Sequence, residues 1–313
     1  MCAALCLLHI LSQNHRLQTV QPTENYTYAD MEQDLLTLKK KYPRTLRVST
    51  YGHSLEGRPL YAAVAGEPNA RFAVLIGASM HAREHMTSLL VMAQLAHLLQ
   101  EGVPKDTAFH ILPMLNPDGV TLSQTGMYTP AQYEMYLRDV ENGFFTGGAE
   151  LYMRRWKANA RGTDLNRNFD AMWERIDERP YPAHAFYRGE HPLSEPESKA
   201  LADYARQTSF DATLSYHATG SVLFYDFGDD TSINEKSRSL AETVHQLTAY
   251  RLIPDKGDSF GGFKDWAILE LKTPSLTIEI GREAAPLALE EFADIFARNR
   301  EVPAAVAKWI FSN

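Results

Sequence analysis

The stretch "GASMHAREHMTSLL", residues 77–90, sets two histidines four apart with an acid between them, a spacing that can hold a divalent metal in two ways. In one, His81 and His85 are the ligands and Glu84 is the base, the inverted zincin pattern H-x-x-E-H. In the other, His81 and Glu84 are ligands, a third comes from a distant part of the chain, and one coordination position stays open for water. The first needs both histidines one turn apart inside a helix, whereas Gly77, Ala78 and Ser79 put His81 at a strand-to-helix turn. The second needs another histidine. His217 in "TLSYHATG", at the end of a second predicted strand, is the best placed of the remaining ones. A single histidine at a strand end is more often structural than ligating, so spacing alone leaves both readings open. A further H-x-x-E pair, His53 and Glu56 in "GHSLEGRP", lies between two predicted strands and reads as structural.

Other residues could serve the same chemistry. Amide hydrolysis needs an activated water, a polarised carbonyl and a proton for the leaving amine. Glu279 in "SLTIEIG" is an acid on an otherwise apolar strand, where it is either a base or a carboxylate on the solvent face of an edge strand. Arg167 in "DLNRNFD" offers a planar fork for a carboxylate, with Asn166 adding donors; the usual fate of such an arginine is a surface salt bridge.

The elements that must position these residues alternate between extended and helical. "YTYADMEQDLLTLKKKYP" carries Met31, Leu35 and Leu38 at helical spacing and ends at Pro43. "TLRVSTYG", "PLYAAVAG", "FAVLIGA", "FHILPML", "ATLSYHA", "SVLFYDFG" and "SLTIEIG" read as strands. Helices are predicted at "TSLLVMAQLAHLLQEG", at "SEPESKALADYARQ" with a Ser194–Glu197 capping box, at "EKSRSLAETVHQLTAY", and over Leu287 to Ile310. This implies an α/β fold: one domain with a mixed, mostly parallel twisted sheet, helices on both faces, and sites at the carboxyl ends of strands.

The chain has 313 residues, 44% of them hydrophobic and 22% charged, enough for a large core. No linker or repeat divides it, so residues 26–313 are expected to form one catalytic domain, preceded by a tail or weak signal-like segment over residues 1–25. The net charge of −8, with no basic cluster, gives nucleic acid no foothold. Both cysteines, Cys2 and Cys6, lie in the apolar opening, which is too short to span a bilayer. The body of the chain therefore forms no disulfide, and any metal there must use histidine and carboxylates. No motif speaks to oligomeric state.

"YGHSLEGRPL", "MHARE", "LNPDGV", "GTDLNRNFD", "SYHATG" and "LTIEIG" together, in this order from about Tyr26 to Gly281, resemble the zinc carboxypeptidases related to carboxypeptidase A. The resemblance implies one zinc ion per chain on His81, Glu84 and His217, with His85 outside the metal shell. It makes Glu279 the general base, gives the substrate's free carboxylate to Asn166 and Arg167, and has Asp164 orient His81. Arg83 would face a substrate carbonyl or carboxylate. Lys157 stands where the family usually has an arginine to polarise the scissile carbonyl, and a lysine does this as a point charge without the fork. "KGDSFGGFKDW" lacks the mobile tyrosine of the digestive enzymes, Gly257 falling near its place, and puts Lys264 at the base of the pocket for the outgoing side chain. Lysine there selects a carboxylate, unless it is merely solvated. The variant is most similar to the bacterial branch that cuts γ-D-glutamyl-meso-diaminopimelate bonds in muropeptides. The alternatives are a carboxypeptidase releasing acidic C-terminal residues and a peptide-binding relative without turnover. The weak leader favours the cytoplasm over a secreted or wall-associated protein.

Overall fold

Among the described residues, eight strands follow from short β-branched or apolar runs broken by glycine and proline: β1 Leu46–His53, β2 Pro59–Ala65, β3 Phe72–Ala78, β4 Thr107–Leu112, β5 Ala212–Ala218, β6 Val222–Phe224, β7 Arg251–Ile253 and β8 Ser275–Ile280. They form one sheet in the order β1-β2-β4-β3-β5-β8-β6-β7. The centre, β4-β3-β5-β8, is parallel, while β1 and β2 join it antiparallel at one edge and β6 meets β8 antiparallel on the other side. The structure, a computed structural model, describes residues 19–254, 257 and 259–313, so Cys2, Cys6 and most of the expected tail lie outside the described residues.

Both faces of the sheet are covered. The helix Met86–Glu101 is apolar all round and accordingly buried along nearly its whole length. It packs with Phe292–Asn299 and Val302–Ser312 over the side chains of Leu214, Tyr216, Leu276, Ile278 and Ile280. The opposite face carries Leu75, Leu112, Phe169, Leu201 and Trp266, with the helices Pro196–Gln207 and Phe263–Leu269. Among the described residues no helix is long and apolar enough to cross a membrane.

Two expected features differ. Ser194 and Glu197 form no capping box: the helix starts at Pro196 after Glu195, and Glu197 instead accepts from the Leu55 amide at 2.9 Å and from Asn159. A tertiary contact has taken the carboxylate that the local pattern assigned to the cap. The closing helical stretch is broken, with a 3₁₀ turn at Leu289–Glu291 and two helices separated at Arg300 and Glu301, because Pro303 is admitted only in the first turn of a new helix. The helices Pro117–Thr125, Pro130–Glu141 and Ala149–Arg154, and the strand β7, were not expected from periodicity.

Candidate active site

Three strand ends build the site. β3 stops at Ala78, and three residues later His81 leads into a 3₁₀ turn over Ala82–Glu84. The turn is clipped to a neighbouring segment by Ala82 N–H to the Lys157 carbonyl and Arg83 N–H to the Trp156 carbonyl. β5 delivers His217, and β8 places Glu279 directly beside it in register. Along β8, Leu276, Ile278 and Ile280 join the core of one face. Strand alternation turns Ser275, Thr277 and Glu279 to the other.

His81, Glu84 and His217 are buried, and their donor atoms all lie within 4.8 Å of one another. Glu84 Oε1 is 2.9 Å from His81 Nδ1, its Oε2 is 3.0 Å from His217 Nδ1, and the two Nδ1 atoms are 3.1 Å apart. Asp164 Oδ1 lies 3.1 Å from His81 Nε2; an ionised carboxylate only accepts, so Nε2 carries the proton and the Nδ1 lone pair faces the cluster. Burial pushes the Glu84 carboxyl up, but the adjacent imidazoles more than reverse this and hold it below the ordinary carboxylate range. Burial acts likewise on Asp164 and is overcome by His81, then Lys157 and Arg167, leaving it well below its ordinary value. Two ring nitrogens and a carboxylate converging on one point form a donor set that suits zinc. His85 is buried elsewhere, in a cleft lined by Glu24, Ser123 and Arg154, where burial pushes its pKa down to about 4.

Next to the trio is a cavity of about 390 Å³ lined by His81, Lys157, Asn166, Arg167, Lys264, Asp265, Thr277 and Glu279, among others. Glu279 Oε2 is buried with no hydrogen-bond partner. Burial, then the Glu84 charge, raises its pKa to about 7 against the opposing pull of His217, Lys157 and Arg83. β8 lies between β5 and β6, which excludes the edge-strand reading. Lys157 Nζ sits over the Phe186 ring, 5.2 Å from its centroid. Arg83 is not among the described residues that line the cavity; its Nη1 approaches the Arg155 carbonyl only at 3.5 Å, and its Nε is buried without a partner.

The far wall joins two loops. Asp164 caps the 3₁₀ turn Leu165–Arg167, which buried Leu165 and Phe169 anchor. Phe169 N–H donates to the Gly261 carbonyl and Gly261 N–H to the Ala171 carbonyl. Gly261 has φ +73°, and a Cβ there would meet Ile176 Cδ1 at 2.6 Å and the Arg167 carbonyl oxygen at 2.7 Å, so only glycine fits. Asn166 Oδ1 then accepts from the Phe263 amide at 3.0 Å, fixing the start of the helix that carries Lys264.

Lys264 is not solvated: it is 7% exposed, bonded to Asp265 Oδ1 at 2.6 Å and to the Asp226 carbonyl at 2.6 Å. Arg167 is not a free fork either. Its Nε donates to Glu178 Oε2 at 2.6 Å and its Nη2 to Oε1 at 3.3 Å. Glu178 and Phe186 carry no signal in the sequence, one being an acid in a polar loop and the other an isolated aromatic, neither with a pattern to mark it. Gly257 is exposed, with φ +70°.

Residues 31–298 match the model of the zinc carboxypeptidase family. The chain is 30% identical over 296 residues to gamma-D-glutamyl-L-diamino acid endopeptidase 1 of Lysinibacillus sphaericus, covering 88% of this chain and 71% of that protein. It is 28% identical over 214 residues to carboxypeptidase A6 of Mus musculus, covering 64% of this chain and 45% of that one. Among solved structures, bovine thrombin-activatable fibrinolysis inhibitor, in complex with a tick carboxypeptidase inhibitor, superposes with a TM-score of 0.73 at 20% identity over 94% of this chain and 99% of that one, a likeness of fold.

Proposed function

Since the chain belongs to the zinc carboxypeptidase family and is thereby a metallopeptidase, we propose that it cleaves the amide bond between γ-D-glutamate and meso-diaminopimelate in peptidoglycan peptides. The observation that carries this reading is the buried Lys264–Asp265 ion pair on the cavity wall. The far end of diaminopimelate bears an amine and a carboxylate, so it can meet both charges, whereas a glutamate side chain would set its carboxylate against Asp265 as well as Lys264. The 30% identical Lysinibacillus relative, named for such a bond, supports it.

His81, Glu84 and His217 would hold one zinc ion per chain, which when bound supplies Lewis acidity to polarise a carbonyl and acidify water. Asn166 and Arg167 receive the free carboxylate beside the scissile amide, aligning that bond with Glu279. Glu279 takes a proton from water and passes it to the leaving amine, the role for which an unpartnered, buried oxygen is suited. The Lys157 ammonium stabilises negative charge developing on the scissile carbonyl oxygen. Arg83 adds positive potential near Glu279. Mass spectrometry of products from wall tri- and tetrapeptides, set beside ordinary peptides ending in glutamate or leucine, tests the reading. Cleavage after γ-D-glutamate is expected; faster release of C-terminal glutamate from ordinary peptides would favour an acidic-residue carboxypeptidase instead. Lys264→Ala should lower kcat/KM for the diaminopimelate substrate about 30- to 1,000-fold, as expected for a charge pair of ~2–4 kcal/mol, and spare an apolar side chain.

A further inference from the structure

Arg167 is gripped along one edge of its guanidinium. Its Nε and Nη2 carry Glu178 at 2.6 and 3.3 Å, its Nη1 donates to the Asn166 carbonyl at 3.3 Å, and the Phe186 ring lies 6.0 Å from the guanidinium carbon. Arg167 lines the cavity, whereas Glu178 is not among its described lining residues. Glu178 takes the Nε–Nη2 edge and the Asn166 carbonyl one hydrogen of Nη1, which leaves one N–H on each of Nη1 and Nη2 for a ligand.

The backbone that presents Glu178 is pinned on both sides. Ile176 is buried, its Cδ1 packed where any side chain at position 261 would have to go. Arg179 is tied to the buried Asp139 at 3.2 Å and stacks on the Phe144 ring, 3.7 Å from its centroid. A carboxylate held by two such anchors fixes its partner instead of following it. Arginine side chains have several rotatable bonds, and freezing them in advance removes an ordering cost from ligand binding.

We infer that Glu178 is a positioning residue for substrate binding: it fastens one edge of Arg167 so that the remaining N–H groups of the fork meet the substrate's free carboxylate. This rests on the reading of Arg167 as the carboxylate anchor. The opposite role, an internal competitor that substrate must displace, predicts a change of the opposite sign, since removing a competing or nearby negative charge strengthens carboxylate binding.

The zinc-loaded enzyme is assayed on one peptide with its C-terminal carboxylate free and on the same peptide amidated, as the parent, Glu178→Ala and Glu178→Gln. Glu178 is partly exposed, so the fold should persist, which circular dichroism checks; Glu178→Gln, keeping one acceptor oxygen, serves if the alanine variant is unstable. KM for the free acid should rise about 10-fold in Glu178→Ala, and less in Glu178→Gln, with kcat within about two-fold and kinetics on the amide unchanged. An unchanged or lowered KM for the free acid, or equal losses on acid and amide, overturns the inference while leaving Arg167 as anchor. If the parent itself does not distinguish acid from amide, the anchor reading fails, and the positioning role fails with it.

Discussion

Two buried sites in this molecule each set histidine beside carboxylate, and they are built to opposite rules. Around Asp139, both carboxylate oxygens are used: Oδ1 accepts from Arg179 Nη1 at 3.2 Å, and Oδ2 accepts from the Tyr152 hydroxyl at 2.8 Å and from His184 at 3.2 Å. At the cleft, Glu279 Oε2 has no partner and the Nδ1 atoms of His81 and His217 face each other at 3.1 Å. Satisfied polar groups hold a fold together; groups kept short of partners remain available for a cation, a water or a substrate. Histidine and acid content does not separate the two sites. Their outstanding valences do.

If that distinction is right, changes at the cleft should remove activity without stability, and changes at Asp139 the reverse. Glu279→Gln should lower kcat by about 10²- to 10⁴-fold, the range for a general acid–base group, with zinc content by mass spectrometry and melting temperature preserved. His217→Ala should strip the metal and abolish turnover. His85→Ala should leave zinc bound; loss of zinc in that variant alone would restore the inverted zincin reading.

Asp139→Ala leaves Arg179 without its buried partner and should cost ~3–5 kcal/mol in urea unfolding, while the remaining folded enzyme keeps its kcat and changes at most in KM for a free acid, through the loosened Arg179 anchor of Glu178. The smallest effect is that of pH. Asp139 is held below its ordinary value: burial raises it, but His184, Tyr152 and Arg179 more than offset this. Burial lowers His184 more than Asp139 raises it. Both depressed groups take up protons first in the unfolded chain. Stability from His184 therefore starts to fall below pH ~6.5, and that from Asp139 below ~3.9, each being lost down to the folded value. Melting temperature should drop between pH 7.5 and 5, and a flat profile would contradict the assignment for His184.

Much of the frame was legible because its signals are local. The alternation Ser275-Leu276-Thr277-Ile278-Glu279-Ile280 announces a strand with one polar face, and "FAVLIGA" one buried on both. Spacing alone left His85 and His217 competing as ligands; the resemblance to a family favoured His217, and the turn at His81 brings it beside Glu84. What stayed hidden depends on distant partners. Glu197 reads as a capping residue until Asn159 and Leu55 claim it, and nothing near Glu178 or Arg179 in sequence reveals Arg167 or Asp139. Lys264 was marked by its place after two glycines, but its pairing with Asp265 makes the wall zwitterionic rather than simply basic.

The pairing of His217 with Glu279 across β5 and β8 also makes activity a gauge of how faithfully the sheet assembles. A slip of one residue along β8 would turn Leu276, Ile278 and Ile280 towards the cleft and bury Ser275, Thr277 and Glu279 in the opposite core. Such a molecule could retain nearly the same strand content and remain invisible to circular dichroism, yet Glu279, the proposed base, would no longer stand beside His217. Counting active centres in a refolded sample, by titration with a tight carboxylate inhibitor, would thus count correctly threaded chains.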